Sequence, residues 1–139
     1  MKRRWYSWWI ATGLALASAG CYGDDDDVVV VVPPEQIGAL TVQWSIGGAT
    51  LPGDCVAFGA DFFELLVYDQ FGAFFLEANA PCEAFALSLE LPEGLFEADA
   101  TLVNRADVAV SVTELLDEIV ITSDSELVIS VDYPLGSFF

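Results

Sequence analysis

From residue 39 to residue 139 the sequence predicts an all-β fold, a single antiparallel β-sandwich of about seven strands. Three observations predict it. Apolar side chains alternate with polar ones at a period of two, again and again. Clusters of Gly, Pro, Asn and Asp break that alternation about every ten residues, the spacing of a sandwich. No segment of this stretch sustains the 3.6-residue period of a helix, although Pro52 to Gly59 has room for one short helical turn.

The strands follow in order. Leu40, Val42, Trp44 and Ile46 alternate with Thr41, Gln43 and Ser45, a half-buried strand that Gly47-Gly48 ends. Residues 62–68 are apolar on both faces except at Glu64, which predicts a central strand with Phe63, Leu65 and Val67 inward. Asp69-Gln70-Phe71-Gly72 reads as a turn, after which Phe74, Leu76 and Ala78 are expected to line the next strand. Phe85, Leu87, Leu89 and Leu91 make a fourth. Pro92-Glu93-Gly94 turns into a fifth, with Phe96, Ala98, Ala100 and Leu102 inward and Glu97, Asp99 and Thr101 outward. A turn over 104–107 is expected to lead into a strand through Val108, Val110 and Val112. The period of residues 115–121 is ambiguous. Leu127, Ile129, Val131 and Tyr133, with Ser130 and Asp132 outside, form the last strand.

The chain has three cysteines. Cys55 and Cys82, in the loops before the second and fourth strands, are expected to pair in a structural disulfide if the protein is exported to an oxidising compartment. A redox or metal role lacks support: the pair has no CxxC spacing, no histidine anywhere and no basic neighbour to stabilise a thiolate.

The stretch Leu89-Glu-Leu-Pro-Glu-Gly-Leu-Phe-Glu-Ala-Asp-Ala-Thr-Leu resembles the Pro–x–Gly–aromatic hairpin of transthyretin-like and Cna-B-like sandwiches. In that hairpin a Gly turn feeds a strand whose aromatic residue enters the core. The resemblance implies a transthyretin-like or Ig-like sandwich serving as a stalk, spacer or binding module rather than as an enzyme.

The first twenty residues differ in kind. Lys2, Arg3 and Arg4 precede Trp5, Tyr6, Trp8 and Trp9, and an apolar run follows from Ile10 to Ala19. That run is half the ~20 residues a membrane-spanning helix needs. Positive start, short apolar middle and small residues before a break describe a signal peptide, and Arg3-Arg4 carries a trace of twin-arginine export. Ser18-Ala19-Gly20-Cys21 resembles the lipobox of bacterial lipoproteins, with Ser18 where that pattern places an aliphatic residue. The resemblance implies cleavage before Cys21, a diacylglycerol thioether on its sulfur and an acyl chain on its amino group. The predicted organisation is therefore a signal peptide over 1–20, a tether over 21–38 and the sandwich over 39–139.

The tether runs from four aspartates, Asp24 to Asp27, through Val28 to Val32 into Pro33-Pro34. Like charges keep the first part solvated and extended, and the prolines stiffen the last. The Val run reads alternatively as an accessory edge strand. At ~3.3 Å per residue, residues 22–38 reach at most about 55 Å. The acidic run resembles the signals that send some Gram-negative lipoproteins to the cell surface. The combination looks like small lipoproteins from myxobacteria and their relatives, on the outer membrane or cell surface, with the periplasmic face as the other location.

Three of the four basic residues lie in the leader, so cleavage leaves Arg105 against 22 carboxylates, a formal charge of −21. Such a chain cannot neutralise phosphates, which excludes nucleic acid as a partner. It has no basic patch for anionic headgroups either, so the expected membrane partner is reached through the lipid.

Catalytic chemistry finds little to use. Without His, and without Lys beyond the leader, neither serine or cysteine triads nor Schiff bases are available, and no pair among 22 carboxylates stands out for acid–base work. The expectation is a non-catalytic module of the cell envelope or surface, acting on an envelope protein or glycan. The alternative is a Ca²⁺-dependent or glycan-binding adhesin-like module. Asp124 and Glu126, in Ser123-Asp-Ser-Glu126, are weak Ca²⁺ candidates, because they lack the spacing of an EF-hand loop. Phe62, Leu66, Tyr68 and Phe75 fall on outward alternates of the second and third strands and form a candidate binding face, unless a second layer covers them. Phe138 and Phe139 either extend that face or cap the core.

Overall fold

The computed structural model describes residues 36–139; the lipobox-like segment with Cys21, the acidic run and the Val-Pro segment lie outside them. Seven strands form two layers: β1 (Ile37–Ile46), β2 (Phe62–Asp69), β3 (Phe74–Pro81), β4 (Ala86–Pro92), β5 (Gly94–Val103), β6 (Glu114–Ile121) and β7 (Glu126–Tyr133). Helix α1 (Pro52–Ala57) occupies the expected helical turn, with Pro52 at its start where a missing N–H costs nothing. One sheet has the order β4-β1-β7 and the other β3-β2-β5-β6.

Period two determines what each sheet buries. Leu40, Val42, Trp44 and Ile46 of β1 face Phe63, Leu65 and Val67 of β2 and Phe96, Ala98, Ala100 and Leu102 of β5 across one core. Trp44 stacks flat on Phe63 at 4.0 Å between centroids, and its indole N–H donates to the Cys82 carbonyl at 2.9 Å. The Cys55–Cys82 disulfide forms as expected, with both residues buried and their Cα atoms 6.0 Å apart. It joins α1 to the 3-10 turn ahead of β4. Phe138 stacks on Phe58 at 4.1 Å and lies near Tyr133, capping the core, whereas Phe139 is exposed.

Two features differ from expectation. The expected strand through Val108, Val110 and Val112 is absent: residues 109 and 111 make only isolated bridges, to Val103 and Phe138. Val108 and Val112 are exposed, and only Val110 packs against the core, partly buried. The sixth strand is instead the ambiguous segment. There Leu116 pairs with Ala98 and Ile119 with Phe96, leaving Asp117 and Glu118 as a bulge, with Glu118 at φ 55°. The bulge changes the spacing of inward residues from two to three, which hides the strand from a period-two reading. The second difference is in the three-stranded sheet, which is mixed: β1 pairs antiparallel with β4 and parallel with β7.

One end of the sandwich gathers four features. Gln36, where the chain enters, accepts the Glu93 N–H, and Ile37 accepts that of Asp124. Gly94 pairs with Ile121, and Phe96, two residues into β5, pairs with Asp69. The entry point, the 92–94 and 122–125 turns and the β2–β3 hairpin tip are therefore at the same end. Gly38 belongs here too: a Cβ on it would run into the Thr122 carbonyl and the Ile121 side chain. The disulfide, α1 and the C-terminus are at the other end, where β1, β5 and β7 finish.

Candidate functional site

Among the described residues the binding-face candidates lie on the outer side of the four-stranded sheet. Phe62, Leu66 and Tyr68 run down β2, with Glu64 between the first two. Leu66 pairs with Glu77 on one side and Asp99 on the other, and Glu64 pairs with Asn79 and Thr101. The column is thus an apolar line bordered by carboxylates, not a continuous apolar patch. No strand among the described residues covers it; Leu66 and Tyr68 are half-buried, and Phe62 is 37% exposed.

Phe75 does not belong to this face. The β2–β3 register shifts between Val67 and Tyr68, so Val67 pairs with Leu76 and Tyr68 with Phe74, with Phe75 the extra residue. Its ring turns edge-on to buried Phe96 at 5.2 Å, at the rim of the core, and remains 43% exposed. Phe74 takes the outward place and meets the Tyr68 ring at 6.2 Å. Phe74 was expected inward; a bulge of one residue exchanges the two.

The electrostatics of the face follow from its acid. The Glu64 carboxyl is held above its ordinary range by burial first, then by the charges of Glu77 and Asp107. The Tyr68 phenol is pushed up by desolvation, by the charge of Asp99 and a hydrogen bond to it, and by Glu64. Both shifts disfavour further negative charge, so the face suits an apolar or neutral contact rather than an anionic one.

Asp124 and Glu126 lie in and beside the β6–β7 turn, and with Glu90, Ser125 and Ile37 to Ala39 they line an open cleft of about 430 Å³. Glu126 is already engaged: its Oε1 accepts the Thr41 hydroxyl at 2.7 Å, and Thr41 is also 2.8 Å from Ser88. Asp124 sits at φ 56° with its N–H given to Ile37. No group of three or more His, Cys, Asp or Glu side chains among the described residues is placed to hold a metal ion. Arg105 pairs with Asp61 at 3.3 Å in the open, an exposed contact of little energetic weight.

A feature of the hairpin itself escapes the period-two reading. Asp69 organises the tip: its Oδ1 accepts the N–H groups of Phe71 at 2.8 Å and Ala73 at 3.0 Å, and its own N–H donates to the Ala73 carbonyl at 2.9 Å. Gly72 supplies the left-handed residue, φ 76°. The result is an ordered loop that holds Phe71 85% exposed, with Phe74 at 61%. Its signal in the sequence is the uncharged run Gln70-Phe-Gly-Ala-Phe-Phe-Leu76 in an acidic chain.

No family model and no curated protein matches the chain. Among solved structures it is similar to part of a leucine-rich repeat protein from Bacteroides thetaiotaomicron, at 11% identity and TM-score 0.46. It is also similar to part of the Bacillus anthracis TIE protein, at 17% identity and TM-score 0.42. Each likeness covers 70% of this chain, which spans 12% and 18% of the lengths of those proteins.

Proposed function

We propose that this chain is a lipid-anchored, non-catalytic module of the bacterial cell envelope or surface, held through Cys21 and presenting a transthyretin-like sandwich to an envelope protein or glycan. The observation that carries the reading is the arrangement of the leader: a positive start, a ten-residue apolar run and small residues ending directly at Cys21. Several acyl chains on one residue suffice for stable attachment, since each buried methylene contributes about 0.8 kcal/mol. The disulfide between Cys55 and Cys82 fits export to an oxidising compartment and leaves Cys21 free for acylation. The acidic run after Cys21 favours the outer membrane or cell surface as its destination.

Expression of the chain and of Cys21→Ser in a Gram-negative host tests the anchor. The wild type is expected in the membrane fraction, with the mass of a diacylglycerol and an acyl chain on a protein beginning at Cys21. The serine variant is expected in the soluble exported fraction. A serine variant that still pellets with membranes would falsify the reading.

A further inference from the structure

We propose that the β2–β3 hairpin tip, Gln70 to Phe75, is a membrane-contact element that settles its aromatic rings into the interfacial layer of the bilayer carrying the anchor. This inference rests on the anchoring reading above. It depends on where the chain enters the domain. Gln36 enters at the end of the sandwich that carries the hairpin tip, because Gln36 meets Glu93, Gly94 opens β5, and Asp69 lies across from Phe96. Cys21 is only fifteen residues before Gln36, a reach of at most ~50 Å fully extended. A lipid on Cys21 thus holds the tip's end of the sandwich within about 50 Å of the bilayer, and the tether supplies a high local concentration there.

The tip is built for a neutral apolar environment. Phe71 is 85% exposed and Phe74 61%, an arrangement water does not favour. Between Asp69 and Glu77 no residue is charged. The Asp69 carboxylate is occupied by the N–H groups of Phe71 and Ala73, and the Gly72 N–H is given to the Asp69 carbonyl, so these three backbone donors are satisfied before the tip meets lipid. At the base of the loop Phe75 meets buried Phe96 edge-on at 5.2 Å. Aromatic rings gain by partitioning to the interface, and two rings without an anchor bind too weakly to hold a protein there. Across the described residues 17 carboxylates face Arg105 alone, which repels anionic lipid and points to zwitterionic headgroups. The disulfide end, with its exposed Leu51, Val56 and Phe139, is then turned away from the bilayer.

Phe71→Trp in the full chain, matured in a Gram-negative host and reconstituted into phosphatidylcholine vesicles, reads the contact directly. Cleavage of the leader removes Trp5, Trp8 and Trp9, leaving buried Trp44 as an internal control. With brominated phosphatidylcholine the new tryptophan is expected to shift to the blue and lose most of its emission, while Trp44 keeps its own. Flotation of the same sample reports the anchor separately. Vesicles that float with the protein but leave the new tryptophan unquenched overturn the contact and spare the anchor; that outcome would assign Phe71 and Phe74 to a protein partner. A protein that does not float overturns the anchor and the contact with it. Phe71→Ser with Phe74→Ser is expected to float as the wild type does while its hairpin becomes open to protease in vesicles.

Discussion

Tyr133 shows how little slack the core leaves a polar atom. Its ring is fully buried at the end of β7, and among the described residues its hydroxyl has no hydrogen-bond partner. Burial pushes the phenol well above its ordinary value, with the Glu114 carboxylate adding to the effect. A buried hydroxyl without a partner costs about 1–3 kcal/mol. Tyr133→Phe removes that atom and leaves the ring's contacts in place, so chemical denaturation should find the variant equal to the wild type or more stable by about 1 kcal/mol. A loss of that size would show that the hydroxyl has a partner. The sequence shows Tyr133 at an inward position of a clear strand; that its hydroxyl goes unmet depends on which side chains surround it, and adjacent residues do not reveal them.

Two strands carry bulges, and both alter what a face presents. In β6, Glu118 occupies the left-handed region at φ 55°, a conformation that disfavours any residue with a Cβ. Glu118→Gly should stabilise the domain by about 0.5–1 kcal/mol, read as a higher denaturation midpoint with unchanged slope. The gain is net of the greater freedom glycine has when unfolded. A lower midpoint would mean that the Glu118 side chain contributes more than its backbone costs. In β3 the shift beside Tyr68 turns Phe75 toward Phe96 and brings Phe74 outward. The strands that face these bulges, β2 and β5, were legible, because Leu65, Val67, Ala98 and Ala100 keep the period within each run. The bulges were not legible, because an extra residue is recognised only against the partner strand it fails to match.

The whole molecule balances a cross-linked core against a charged surface. The disulfide links residues 27 apart and fastens α1 to the turn whose Cys82 carbonyl receives the Trp44 indole. Reduction should lower stability by about 2–4 kcal/mol, visible as a lower melting temperature with thiol present. No change would mean that the reduced chain keeps both segments in place by packing alone. The acid acts in the opposite sense. Glu64 holds its proton more tightly when folded than its ordinary value of 4.5 allows, through burial and through Glu77 and Asp107. Folding therefore takes up a proton in the window above that value, and stability rises as the pH falls through it. Melting temperatures should increase as the pH is lowered from neutral toward the ordinary carboxyl value of 4.5, and Glu64→Gln should show a smaller increase. An equal increase in both would move the cause to other carboxylates.

The sequence by itself determined the class of the domain, the inward residues of β1, β2, β5 and β7 and the cysteine pair, because side-chain alternation and composition are properties of neighbouring residues. The tertiary structure alone decided which strands lie side by side: β1 sits between β4 and a parallel β7, and residues 114–121 form a strand where 108–112 do not. It alone brought the entry of the chain and the Phe71 tip to one end of the sandwich. The physical reason is that alternation records which face of a strand meets the core, while pairing and register depend on groups far apart in the chain that meet only once the two sheets close on each other.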